Sequence, residues 1–249
     1  MTDNVIEEWS HLGFVELFAG VGGFRLGLER VGWRAVWSNQ WEPASSRQHA
    51  SDIYVNRFGP ENHSNEDIGI ALDRLEAGDL HIPTHSLVVG GFPCQDYSVA
   101  KPLNQATGLQ GNKGVLWWQI FRLINLSRPT FLLLENVDRL MTSPAHQRGR
   151  DFAVMLACLS DLGYTVEWRV VNAADYGFPQ KRRRVFIVAE MTPSDYHHDR
   201  PEETILRSGV LAEALPVAGT SEGKVDFHSF AIDGALWEVT QQFGSRNKV

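Results

Sequence analysis

Residues 14–32, FVELFAGVGGFRLGLERVG, decide the fold. Five residues of strand character, Phe14 to Phe18, run into Ala19-Gly20-Val21-Gly22-Gly23, and the apolar residues after them recur at three- and four-residue spacing, as on a helix lying against a sheet. Glycine allows the backbone to turn tightly and to approach a ligand closely before the helix begins. A dinucleotide-binding turn would carry a further glycine three residues after Gly22, but Arg25 stands there, which weighs against a nicotinamide cofactor. The turn then either holds another nucleotide-like ligand or simply packs.

Outward from this unit the same alternation continues. RAVWS (34–38), SLVVG (86–90), FLLLEN (131–136), TVEWRVV (165–171) and VFIVAE (185–190) read as further strands. PASSRQHASDIYVNRF (43–58), VLWWQIFRLINL (115–126) and FAVMLACLSDLG (152–163) show helical spacing. Strands alternating with helices predict an α/β domain, doubly wound around a mostly parallel sheet, over residues 14–190. In such sheets ligands lie beyond the carboxyl ends of the strands, so the residues just after each strand are the site candidates.

Composition narrows the function classes. The 249 residues are 43% hydrophobic and 21% charged, enough to bury an ordinary core. No apolar stretch is long enough to cross a bilayer, and the opening MTDNVIEEWSHLG lacks the pattern of a secretory signal, so a cytoplasmic protein is expected. Two cysteines, Cys94 and Cys158, exclude a disulfide framework and a cysteine-based zinc site, and no metal is expected. The net charge of −7 argues against broad phosphate binding, but the run Lys181-Arg182-Arg183-Arg184 is a local basic patch.

Two segments carry chemistry. In Gly90-Gly91-Phe92-Pro93-Cys94-Gln95-Asp96-Tyr97-Ser98 a cysteine follows a proline at the mouth of a parallel sheet, the position of an activated nucleophile. A lone cysteine is more often a small buried hydrophobe, and Cys158, on the apolar face of its helix, fits that plainer description. Cys94 differs because another strand ends in Glu135-Asn136-Val137, which places a carboxyl group at the same end of the sheet, able to hydrogen-bond or donate a proton to a substrate. Its plainer alternative is a helix cap or an ion pair. After the second strand, Asn39-Gln40-Trp41-Glu42 offers polar groups and a flat aromatic to a ribose and an adenine ring, unless Trp41 is a core residue at a helix start.

In this order and at about this spacing, FAGVGGF, GFPCQDYS, ENV and QKRRRVFIVA resemble the motifs of the DNA cytosine-C5 methyltransferase family over residues 14–190. The resemblance implies a Rossmann-like S-adenosylmethionine-dependent methyltransferase fold, and an enzyme that moves the sulfonium methyl to C5 of a cytosine flipped out of duplex DNA. It implies that Cys94 adds to C6 of the base, that Glu135 engages N3 and the exocyclic amine, and that Arg182 and Arg184 lie beside the flipped base and its backbone. Gln95, Ser98, Asn136 and Val137 become DNA- or substrate-contacting residues. For the cofactor it implies Phe18, Gly20, Gly22 and Gly23 around the methionine portion, and Gln40 and Trp41 at ribose and adenine. Asp67 with Ile68 would lie at the adenine edge, and Pro93 and Leu116 along the pocket. S-adenosylhomocysteine would be the product.

Two departures from the family pattern stand out. Many relatives carry an acidic residue just before the tryptophan, where this chain has Gln40, which binds ribose hydroxyls without charge assistance. After Glu190 the polar, proline-bearing MTPSDYHHDRPEET marks a boundary near 191, and the target-recognition domain and final motifs of the family are not found in 191–249. The expectation is therefore a catalytic domain over 1–190 followed by an extension, linker or docking segment. A second polypeptide would supply recognition, in a split enzyme of the restriction-modification type. A tRNA cytosine methyltransferase ranks lower because the Cys-Phe-Thr triplet of that branch is absent. A non-catalytic DNA-binding or scaffold subunit ranks lower because it would have no use for both nucleophile and acid.

Overall fold

A computed structural model describes residues 12–92, 116–142, 148–192 and 203–216. The chain divides into two compact units, which part between Asn136 and Val137.

The first unit is a parallel sheet with helical connections. Its strands are β1 (Gly13–Leu17), β2 (Arg34–Asn39), β3 (His63–Ser64), β4 (Leu87–Gly91) and β5 (Phe131–Val137), laid side by side in the order β3-β2-β1-β4-β5. Every neighbouring pair among them is parallel. The order reverses direction at β1 and β4, the place where sheets of this kind bind ligands beyond the strand ends. β1 lies in the middle and all five of its residues are buried, which a strand covered on both faces requires. Phe14 packs with Leu87 and Val89 of β4, and Phe24, Leu28 and Trp33 close over them.

The helices of this unit are α1 (Gly23–Glu29), α2 (His49–Phe58), α3 (Ile68–Ala77) and α4 (Leu116–Ser127). α4 buries Trp117, Ile120, Leu123 and Ile124, one helical stripe. Neither α3 nor β3 was expected from the sequence reading above. β3 has two residues, too few to show alternation. The signals for α3 are nonetheless present: Asp67 accepts the Gly69 N–H as an N-cap, Ile68, Ala71 and Leu72 form the buried face, and Gly78 ends the helix in the left-handed region.

In the second unit, α5 (Arg150–Asp161) buries every residue from Asp151 to Leu159, Cys158 among them at 5% exposure. β6 (Tyr164–Asn172) and β7 (Arg183–Met191) pair antiparallel, from Tyr164 against Met191 to Asn172 against Arg183. Their connection is too short for the crossover that a parallel pair needs, so the mostly parallel pattern ends in a hairpin.

Past the boundary expected near 191, residues 203–216 are fastened to β6. Arg169 donates Nη1–H bonds to the carbonyls of Leu211 (3.0 Å) and Leu215 (2.7 Å), and Nη2 donates to the carbonyl of Ile205. Glu167 accepts the Leu211 N–H, and the Tyr176 hydroxyl donates to the Leu215 carbonyl at 3.1 Å. The short α6 (Val210–Ala214) is held in this way. Among the described residues, no helix is long and apolar enough to cross a membrane.

Candidate functional site

The glycine turn leaves β1 with unusual backbone angles. Phe18, Gly20 and Gly22 have φ of 51°, 55° and 85°. For Phe18 this left-handed conformation carries a steric cost, of the kind that persists where surrounding structure fixes the backbone. A Cβ on Gly22 would lie 2.2 Å from Cε2 of Phe58, so that position admits glycine alone. At Gly20 and Gly23, by contrast, nothing among the described residues lies within 4 Å of where a Cβ would stand. An open main chain here can come up against a ligand.

Two bonds hold the turn to the end of β2. The Ala19 N–H donates to the Asn39 carbonyl at 3.0 Å, and the Gly20 N–H donates to Oε1 of Gln40 at 2.8 Å. Trp41 follows at 37% exposure, outside any helix, so it is neither a core residue nor a helix-start residue. Asp67 caps α3, and Ile68 beside it is buried at 4% exposure. Leu116, half-buried, opens α4. An open glycine turn, an amide on its backbone and an exposed flat aromatic fit the methionine, ribose and adenine parts of S-adenosylmethionine.

Glu135 sits near the carboxyl end of β5, in register with Gly91 of β4. A Cβ on Gly91 would be 3.1 Å from Glu135 Oε2, so the carboxyl lies directly over that glycine. Asn136, 1% exposed, donates its side-chain amide to the Phe92 carbonyl at 3.0 Å. Asn136 thus holds the chain at Phe92, one residue before Pro93, and the Glu135 carboxyl lies beside it over Gly91. Pro93, Cys94, Gln95 and Ser98 themselves lie outside the described residues.

The other sequence-expected residues belong to the second unit. Val137 is half-buried, Arg182 is exposed and Arg184 is partly exposed. Arg184 donates to the Arg183 carbonyl at 2.7 Å, and Arg183 pairs with Asp138 at 3.1 Å. Side chains alternate along a strand, so Arg184 points to the face opposite that of Arg183.

The sequence reading passed over a buried polar network beneath the glycine turn. Glu16 in β1, wholly buried, accepts the Tyr54 hydroxyl at 3.0 Å and the Arg25 backbone N–H at 3.2 Å. Arg25 donates to the Tyr54 oxygen at 3.2 Å. His63 stacks on Tyr54 with ring centroids 4.7 Å apart, and its two nitrogens bond the hydroxyls of Ser38 and Ser51, each at 2.8 Å. Burial pushes the Glu16 carboxyl up to about 7, although the bonds from Tyr54 and Arg25 pull the other way. Because Arg25 is the third residue of α1, Glu16 caps a helix whose own N-cap, Gly22, has no side chain to do so. The available signal was a carboxylate inside an otherwise apolar central strand.

Comparison with known proteins places these features. The family model described as C-5 cytosine-specific DNA methylase matches residues 12–223. This chain belongs to that family. Among curated relatives, the methylase chain is 54% identical over 210 residues to Type II methyltransferase M.Sau3AI of Staphylococcus aureus, a match covering 82% of this chain and 50% of that protein. It is 34% identical to Type II methyltransferase M.NgoBI of Neisseria gonorrhoeae, covering 80% and 57%. The methylase chain therefore spans about half the length of the curated relatives it matches. Of solved structures, a Spodoptera frugiperda DNMT2 mutant superposes with a TM-score of 0.55 at 17% identity, covering 78% of this chain and 54% of that one, a likeness of fold.

Proposed function

We propose that this chain carries the catalytic centre of a DNA cytosine-C5 methyltransferase, working in the cytoplasm on duplex DNA. The observation that carries the reading is the Glu135 carboxyl lying over Gly91, three residues before Cys94, with Asn136 holding the Phe92 carbonyl between them. Of the two thiols, Cys158 is sealed in α5, which leaves Cys94 as the nucleophile.

Bound S-adenosylmethionine supplies a methyl group on a positively charged sulfur. The chain's own residues do the rest. Gly20, Gly22 and Gly23 bring main chain against the methionine portion, with Phe18 beside them. Gln40, its Oε1 engaged by Gly20, offers its amide N–H groups to the ribose hydroxyls. Trp41 covers the adenine, with Asp67 and Ile68 at the edge and Pro93 and Leu116 along the wall.

Cys94 attacks C6 of a cytosine taken out of the stack, and electron density moves through the ring to C5. Glu135 hydrogen-bonds N3 and the exocyclic amine, which stabilises the charge that reaches the ring nitrogen. Once C5 has taken up the methyl group, removal of the C5 proton and departure of the Cys94 sulfur as thiolate restore the ring, now methylated, and free the cysteine. Arg182 and Arg184 offer planar donors to the base oxygen and the neighbouring phosphate. Gln95, Ser98 and Val137 are assigned to contacts with the DNA near the vacated space. Residues 1–190 form the catalytic part in this reading, 191–249 are an extension, linker or docking segment, and a second polypeptide supplies target recognition.

The test is covalent trapping. Duplex DNA amplified with 5-fluorodeoxycytidine cannot release its C5 substituent as a proton, so attack by Cys94 followed by methyl transfer leaves the protein bound. With S-adenosylmethionine present, a denaturant-resistant adduct is expected from the unaltered chain and from Cys158→Ser, and none from Cys94→Ser. An adduct formed by Cys94→Ser would overturn the assignment.

A further inference from the structure

The tip of the β6–β7 hairpin displays a phenylalanine that no part of the fold uses. Phe178 is 64% exposed although it is a large apolar side chain. Its backbone is nonetheless fixed. The Phe178 N–H donates to the Ala173 carbonyl at 3.2 Å, and the Phe178 carbonyl accepts from Gln180 at 2.8 Å. The Ala173 N–H closes the loop onto the Arg182 carbonyl at 3.0 Å. Gly177 before it is left-handed at φ 84°, and Pro179 after it has a restricted φ. Asn172 holds the base of the tip by accepting the Ala174 N–H and donating to Asp175.

An exposed ring on a rigid support loses little conformational freedom when a partner covers it. The charge around it names the partner. Residues 177–183 are all exposed, and Lys181 and Arg182 have no ion-pair partner among the described residues. The tip's one acid, Asp175, is engaged by Asn172.

We propose that Phe178 is a DNA-contacting residue, its ring laid against a deoxyribose or a base face while Lys181 and Arg182 hold the adjoining phosphates. This rests on the reading of the chain as a DNA methyltransferase and extends it to a residue that the nucleophile, acid and cofactor assignments leave out. Aromatic rings bind nucleic acid through their faces with little dependence on salt, whereas each phosphate contact adds to the salt slope.

The experiment measures duplex binding by the full chain, by fluorescence anisotropy, across a salt series. Phe178→Ala is expected to weaken binding about tenfold with the slope of log K against log salt unchanged. Phe178→Tyr should bind like the unaltered chain. Lys181→Gln should lower the slope by about one. Unchanged affinity in Phe178→Ala overturns the proposal, and a lowered melting temperature in that variant would then show that the ring covers protein instead. Trapping on the 5-fluorodeoxycytidine duplex is run in parallel: an adduct together with unaltered Phe178→Ala binding sinks this inference alone. No adduct and no duplex binding by the unaltered chain, alone or with the second polypeptide that the reading calls for, sinks the methyltransferase reading with it.

Discussion

Gln40 binds Gly20 through its carbonyl oxygen: Oε1 accepts the glycine N–H at 2.8 Å, so the end of β2 holds the turn that follows β1. In the cofactor site proposed above, the amide's two N–H groups are offered to the ribose. A carboxylate there would accept from Gly20 and from a ribose hydroxyl at once, with charge assistance. Gln40→Glu is therefore expected to tighten S-adenosylhomocysteine binding, by about 1 kcal/mol, in titration calorimetry. Gln40→Leu, which loses both, should weaken it by a similar amount. An unchanged affinity in both variants would remove Gln40 from the cofactor site.

Gly90 and Gly91 are adjacent, yet their substitutions should separate stability from activity. A Cβ on Gly90 would meet the Leu17 carbonyl at 2.9 Å and Leu17 Cβ at 3.3 Å, and neighbouring strand backbone has no room to give. Gly90→Ala should lower the unfolding free energy by about 1–3 kcal/mol. Gly91→Ala crowds the Glu135 carboxyl at 3.1 Å, a side-chain end that can swing aside, and meets Phe24 Cε2 at an ordinary 4.0 Å. Its melting temperature should stay near that of the parent while methyl transfer falls on the order of tenfold or more. Equal stability losses in the two would contradict the carboxyl placement.

Gly22→Ala combines two faults, a left-handed φ of 85° and a Cβ 2.2 Å from the Phe58 ring. The second is removable. Phe58→Ala alone opens a cavity, but placed on Gly22→Ala it should recover part of the lost stability, so the double-mutant cycle gives a favourable coupling of about 1 kcal/mol or more. Strict additivity would show that the ring is not what excludes a side chain there.

The Glu16 carboxyl, raised from 4.5 to about 7 by burial, binds its proton more tightly in the folded chain than in the unfolded one. The stability associated with that proton is complete below pH 4.5 and is lost as pH rises toward 7. The loss is on the order of 3 kcal/mol. His63, held low by burial and by Arg25, works in the opposite sense as pH falls, so the unaltered chain alone gives a blended curve. Subtracting it from Glu16→Gln isolates the carboxyl. Thermal unfolding from pH 5 to 8 should show Glu16→Gln gaining on the parent as pH rises. Parallel curves would mean that Glu16 keeps an ordinary carboxyl.

The strands were legible because each is a short apolar run between punctuating residues; β1, β2, β4, β5, β6 and β7 lie within two residues of where pattern places them. The glycine turn and the Glu135 strand end were legible for the same reason, since their positions follow from where strands stop. What escaped depends on contacts far apart in sequence. Glu16, Tyr54, Arg25 and His63 come from β1, α2, α1 and β3, and each alone reads as an ordinary polar residue. Asn136 reads as part of a substrate motif, and only the folded strands reveal that its amide reaches the Phe92 carbonyl. The antiparallel turn of β6 and β7 was hidden because an apolar strand carries no mark of its direction.

One guanidinium decides where the polypeptide goes after β7. By gathering the carbonyls of Ile205, Leu211 and Leu215 onto Arg169, with the Tyr176 hydroxyl on the last of them, the fold brings Leu215 to the root of the very tip that presents Phe178. Whatever follows that leucine is launched from the doorstep of the basic hairpin, and lysine, with a single nitrogen to share, could not anchor the launch point as well.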